Sequence, residues 1–106
     1  MSPDAMREAI AVSLGWKWED GTNSVLRYLL PNYPGNVQAA QDLLNVLAND
    51  GWECESLVRV YKGWRKAIIR IWRLDEQALH QASGAHESFA ICEAYLKAKG
   101  LWKEGA

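Results

Sequence analysis

Between Arg59 and Arg73 the chain reads RVYKGWRKAIIRIWR, with cations at Arg59, Lys62, Arg65, Lys66, Arg70 and Arg73, rings at Tyr61, Trp64 and Trp72, and no acid. Half of the chain's 12 Lys and Arg residues fall in this run. Cations meet phosphate and flat rings stack on bases, so these residue types suit a partly aromatic anion, a nucleotide or its polymer. Asp50, Glu53 and Glu55 precede the run and Asp75 and Glu76 follow it, so a formal net charge of -1 conceals a local basic patch. The same run also describes a solvated hairpin with a few core tryptophans. The two readings part on where the side chains point.

Catalysis has little to build on. His80 and His86 lie six apart, which on a helix sets them on different faces, and no third residue completes a metal-binding set at usable spacing. His86 and Glu87 are adjacent, and neighbours on a helix do not face each other, so acid–base work on a bound phosphodiester is not expected. Neither a Walker loop nor a GxGxxG run occurs. The expectation is a protein with no catalytic residues, no metal and no cofactor.

A chain of 106 residues forms one domain, 1–106, with a core that needs no disulfide or metal. Cys54 and Cys92 are too far apart for a metal spacing or a redox pair. No apolar run approaches the roughly 20 residues of a membrane span, and the start MSPDAMREAI lacks the basic-then-apolar order of a signal peptide. A soluble intracellular protein is expected. Tryptophan is the commonest aromatic, at Trp16, Trp18, Trp52, Trp64, Trp72 and Trp102. A small domain buries about half of these, so the rest should face a ligand or another subunit, and a homo-oligomer is expected.

The elements that must position these residues read as helix, irregular stretch, helix, hairpin, helix. Ser2-Pro3-Asp4 is a helix start, followed by Met6, Ile10 and Leu14 at helical spacing and by Gly15 as the stop. A turn at 19–21 and an apolar run at 25–30 suggest a strand. The segment 31–36, with Pro31, Pro34 and Gly35, is a loop. It delivers the chain to a helix from the N-cap Asn36 to about Asp50, with Val37, Ala40, Leu44 and Leu47 on one stripe, Leu43 and Val46 widening it, and Gly51 ending it.

The hairpin spans 52–74. With Lys62-Gly63 as its tip, Tyr61 faces Trp64, and the register places Trp52, Cys54, Val58 and Val60 with Ala67, Ile69 and Ile71 on a core face against the second helix. Glu55, Leu57, Arg59, Tyr61, Trp64, Lys66, Ile68, Arg70 and Trp72 then share the opposite face, with Glu55 opposite Arg70. A last helix runs from about Ser83 to Lys99, with Phe89, Cys92, Tyr95 and Leu96 inward and Gly100 as the stop. Backbone N–H groups at Ser83-Gly84 would offer an anion site there, with His86 adding a proton-dependent charge, or Ser83 would simply cap the helix.

Gly15-Trp16, Pro31-Asn32-Tyr33 ahead of a helix with Ala39-Ala40, Gly51-Trp52, and Ala82-Ser83 through Ala90-Ile91-Cys92-Glu93-Ala94 together resemble the phage ABA sandwich domain. That small domain of phage and prophage proteins has a P-x-Y-S-x-D loop and an A-I-C-x-A helix. Pro34 and Asn36 stand where the family tends to have Ser and Asp. The resemblance implies an α/β fold, a small α-β-α sandwich whose hairpin-based antiparallel sheet is packed by about three helices. It also implies a phage origin, hence the cytoplasm of an infected bacterium, and it carries over no particular enzyme activity, the family being largely uncharacterised. Helices on both sheet faces would partly roof the basic face into a pocket.

Three functions fit. The first is a phage-encoded protein that sequesters a small anionic nucleotide, such as a cyclic or ADP-ribose-derived host defence signal, without catalysis. Its ligand set would be Arg59, Lys66, Arg70 and Arg73 for charge and Tyr61, Trp64 and Trp72 for stacking, with Tyr33, Ser83, Gly84 and His86 assisting. Arg73 falls on the core-side parity and would serve only by leaving the strand near Leu74. The second is an inhibitor of a host defence complex acting through Trp and Arg at a protein interface. The third, a nucleic-acid accessory protein, is disfavoured by the acidic balance and the lack of a longer basic stripe.

Overall fold

A computed structural model describes residues 1–15, 30–75 and 77–104. The turn expected at 19–21 and the apolar run up to residue 29 lie outside the described residues, as do Trp16 and Trp18. Helix α1 spans Pro3–Ser13, its N-cap Ser2 accepting from the Ala5 amide, and buries Met6, Ile10 and Ala11, whereas Leu14 is exposed. Helix α2 spans Val37–Asn49, where the Asn36 side chain accepts from the Ala39 amide at 3.1 Å. Its buried stripe is Ala40, Leu43 and Leu47, with Leu44 flanking it and Val37 exposed. The stripe is thus centred one residue before the expected Leu44.

Strand β1 (Glu53–Tyr61) and strand β2 (Trp64–Arg73) form the expected antiparallel hairpin. Lys62 and Gly63 take φ of 42° and 83°, the two left-handed positions of a two-residue turn whose twist matches that of the strands. Tyr61 therefore pairs with Trp64, and the register runs without a bulge to Glu53 and Trp72.

Residues read as the approach to the last helix form a third strand instead. Strand β3 (Ala78–Gly84) pairs antiparallel with β2, giving the sheet order β1-β2-β3. Ser83 and Gly84 thus end a strand, opposite Ile68 and Ala67. Helix α3 spans Glu87–Ala98 with His86 at its N-cap, which forms no side-chain capping bond.

The expected α/β class is borne out: the described residues form three helices packed with a three-stranded antiparallel sheet. Helix α3 lies on β2 and β3, α2 leans over β1 and packs on α3, and α1 packs on α3. The last helix, more than the second, covers the buried face of Ala67, Ile69, Ile71 and Ala82. No described helix is long and apolar enough to cross a membrane.

Candidate functional site

Side chains alternate across a strand, so burial of Ala67, Ile69 and Ile71 sends their neighbours in β2 to the other side. Arg59, Lys66 and Arg70 are exposed there, as are Tyr61 and Trp64, while Trp72 is half-buried. Leu57 and Ile68 form an apolar row in the middle, with Ser83 of β3 beside them. Toward the hairpin tip lie Arg59 and Lys66 and then Tyr61 and Trp64. Toward the opposite end lie Glu55, Arg70 and Gln81, and then Glu53, Trp72 and Leu79. Six of the expected ligand residues, Arg59, Tyr61, Trp64, Lys66, Arg70 and Trp72, thus share one face.

None of the described helices stands on this face, so among the described residues it is an open platform and the expected partial roof is not seen. No carboxylate among the described residues closes an ion pair with Arg59, Lys66 or Arg70. The register sets Glu55 opposite Arg70, but the expected pair does not form. The face therefore presents three cations among rings, with no partner acid among the described residues.

Arg73 does not join them. It stays in β2 opposite Ala78, on the core parity, where its guanidinium lies 4.7 Å over the Trp52 ring and donates to the Asp50 carbonyl. Its Nε also lies 3.9 Å from the Asp75 carboxylate. The group holds the end of α2 to the sheet. A Cβ on Gly51, at φ +93°, would come within 3.1 Å of the same guanidinium.

Tyr33 is likewise lost to the site, being 6% exposed in the core cluster. Its loop is drawn inward by Ser88 Oγ donating to the Pro34 carbonyl at 2.7 Å, and by Arg7, which donates to the Leu30 carbonyl at 2.6 Å. Burial pushes the Tyr33 phenol above its ordinary value. The helix-start anion site expected at Ser83-Gly84 is absent because those residues belong to β3.

His86 lines a groove of about 620 Å³ at the tip, together with Val37, Gly63, Trp64, Arg65 and Glu87. Trp64 belongs to both this groove and the open face. Arg65, which also lines this groove, was not among the expected ligand residues because its parity is that of the core. Near the tip, however, core parity does not mean burial, and Val60 is 71% exposed. A second groove at the β1 edge is lined by Leu44, Ala48, Trp52, Glu53, Cys54 and Trp72.

No three His, Cys, Asp or Glu residues among those described are grouped to hold a metal ion. His80 lies 5.7 Å from the Trp52 ring, ring centre to ring centre, on the buried side of β3. Cys92 is fully buried, which pushes its thiol up to about 12. Its chemistry is that of a small apolar side chain.

No family model matches the chain, and no curated protein does. Among solved structures, a phage protein from Bacillus cereus ATCC 14579 superposes with a TM-score of 0.71 over 98% of this chain and 93% of its own, at 15% sequence identity. At that identity what the two chains share is the fold.

Proposed function

We propose that this chain is a small phage-encoded binding protein, related to the phage ABA sandwich domain, that captures an anionic nucleotide on its open sheet face without chemistry. The observation that carries the reading is the set of three cations, Arg59, Lys66 and Arg70, lying among Tyr61, Trp64 and Trp72 with no acid partner among the described residues. Exposed cations next to exposed rings match a ligand that is charged at one end and flat at the other. At the tip, Trp64 takes the base, Lys66 takes phosphate, and the adjoining groove with Arg65 and His86 takes what extends past the sheet.

Capture alone serves a phage if the ligand is a nucleotide signal of host defence, since stoichiometric binding removes it. The fold shared with a phage protein supports that setting. A thermal-shift screen of mononucleotides, cyclic nucleotides and ADP-ribose tests the reading. A ligand at a hundredfold its Kd should stabilise the protein by about 2.7 kcal/mol. Calorimetry with the best ligand should then show Lys66→Ala weaker by roughly 1.5–3 kcal/mol through a lost charge-assisted bond. Trp64→Ala should lose roughly 1–3 kcal/mol of stacking. Undiminished affinity in both variants would leave the face a solvated surface.

A further inference from the structure

We propose that a second copy of this chain docks on the open sheet face, about a two-fold axis running across the strands through Leu57 and Ile68, and that an anion is held between Lys66 of one copy and Arg70 of the other. The interface stands on the face alone; the anion rests on the capture reading above. At about 3.4 Å per residue, Lys66 and Arg70 stand roughly 14 Å apart along β2 and Trp64 and Trp72 roughly 27 Å. One mononucleotide cannot touch both ends of the face within a single copy.

Two-fold pairing removes that separation. Packed sheets lie about 10 Å apart with strands nearly aligned, a spacing filled by the side chains of the two inner faces. An axis across the strands exchanges the two ends of the face. Arg59 then meets Glu55 of the second copy, Trp64 meets Trp72, and Leu57 and Ile68 meet their own counterparts. Charge decides between this axis and one along the strands, which would set Lys66 on Lys66 and Arg70 on Arg70 and leave Glu55 facing Gln81. The chosen axis forms each Arg59–Glu55 contact twice, as an isologous interface must.

The same axis places Lys66 against Arg70 of the other copy, between the Trp64–Trp72 pair and the apolar centre. Two cations there repel until an anion lies between them, and the flanking tryptophans offer a ring on each side of a base. Each dimer would hold two such sites, and ligand would strengthen the dimer.

Sedimentation equilibrium of the full chain at micromolar concentration, with and without ADP, tests this. The expected result is a reversible dimer whose dissociation constant falls about tenfold or more with saturating ADP. Leu57→Arg should give a monomer. Arg59→Glu and Glu55→Arg should each weaken the dimer about tenfold, since two symmetric pairs turn repulsive, and the double variant E55R/R59E should restore it. A wild-type monomer that binds ADP in calorimetry overturns the interface and leaves capture standing. A dimer that obeys the charge exchange but takes up neither ADP nor any nucleotide of the screen overturns the bridging anion and capture together. A dimer indifferent to Leu57→Arg and to both single charge changes overturns the assignment of this face.

Discussion

Arg70 and Arg73 are three residues apart in β2, an odd number, and so face opposite sides of the sheet. One is exposed and carries a full charge into solvent. The other lies over Trp52 and holds the carbonyl at the end of α2. The cysteines are divided by burial in the same way. Cys92 is enclosed by the core and Cys54 is half-buried at the β1 edge, with its thiol raised by burial as well. Iodoacetamide should therefore label Cys54 well before Cys92 in the native protein, and both at similar rates in urea; mass spectrometry of the labelled peptides reads this. The Cys92 thiol has an ordinary value of 9.0 and is pushed up to about 12 in the folded state. Between those values the unfolded chain sheds a proton that the native one keeps, so the unfolded state binds fewer protons and stability falls as pH rises. The raised Tyr33 phenol acts in the same direction at higher pH. Urea midpoints should decline above pH 9, and Cys92→Ala should flatten that decline even as its small cavity lowers the starting stability.

Among the elements, the hairpin owes its register to two residues. Gly63 sits at φ +83° with open space where a Cβ would stand, so Gly63→Ala meets no clash and isolates the backbone cost. The expected loss is roughly 1–2 kcal/mol, read as a lower urea midpoint at unchanged slope. That turn made the hairpin and both of its faces legible in the sequence, because a two-residue tip fixes parity for every position after it. Strand β3 was not legible. Ala78-Leu79-His80-Gln81-Ala82-Ser83-Gly84 has no β-branched residue and no Phe, Tyr or Trp, and its only buried residue is Ala82. Its pairing with β2 comes from tertiary packing under α3. The Ser83-Gly84 pair resembles a helix start, whereas the actual N-cap, His86, makes no capping bond by which to announce itself. Tyr33 was misplaced for a related reason, since prolines mark a loop but say nothing of whether helices enclose it. The tip groove joins the starts of α2 and α3 to the hairpin, three places distant in sequence, and no local pattern encodes that meeting.

At the scale of the molecule, burial among the described residues is one-sided. Every described element except β1 adds residues to a single cluster: Met6 and Ile10 from α1, Leu43 and Leu47 from α2, Ile69 and Ile71 from β2, Ala82 from β3, and Ile91, Tyr95 and Leu96 from α3, with Val58 of β1 packed at its edge. Helix α1 reaches this cluster mainly through α3, and Ser13 Oγ and Tyr95 Oη lie 2.7 Å apart across their contact. The N-terminal amine also lies 3.4 Å from the Lys103 carbonyl, which brings Met1 beside the segment after α3. Because the cluster is continuous, α1 should not unfold ahead of the sheet. Ile10→Ala in α1 and Ile69→Ala in β2 should each cost about 2–5 kcal/mol, the range for deleting a large buried aliphatic side chain. Far-UV circular dichroism and tryptophan fluorescence should still give coincident urea transitions in both variants. Lys66→Ala, on the face that the cluster does not use, should stay within about 0.5 kcal/mol of wild type in the absence of ligand. Stability and binding would then be carried by opposite faces of one sheet. A fluorescence transition that precedes or follows the dichroism transition in Ile10→Ala would show instead that α1 is a separate unit, docked on α3 and not part of one core.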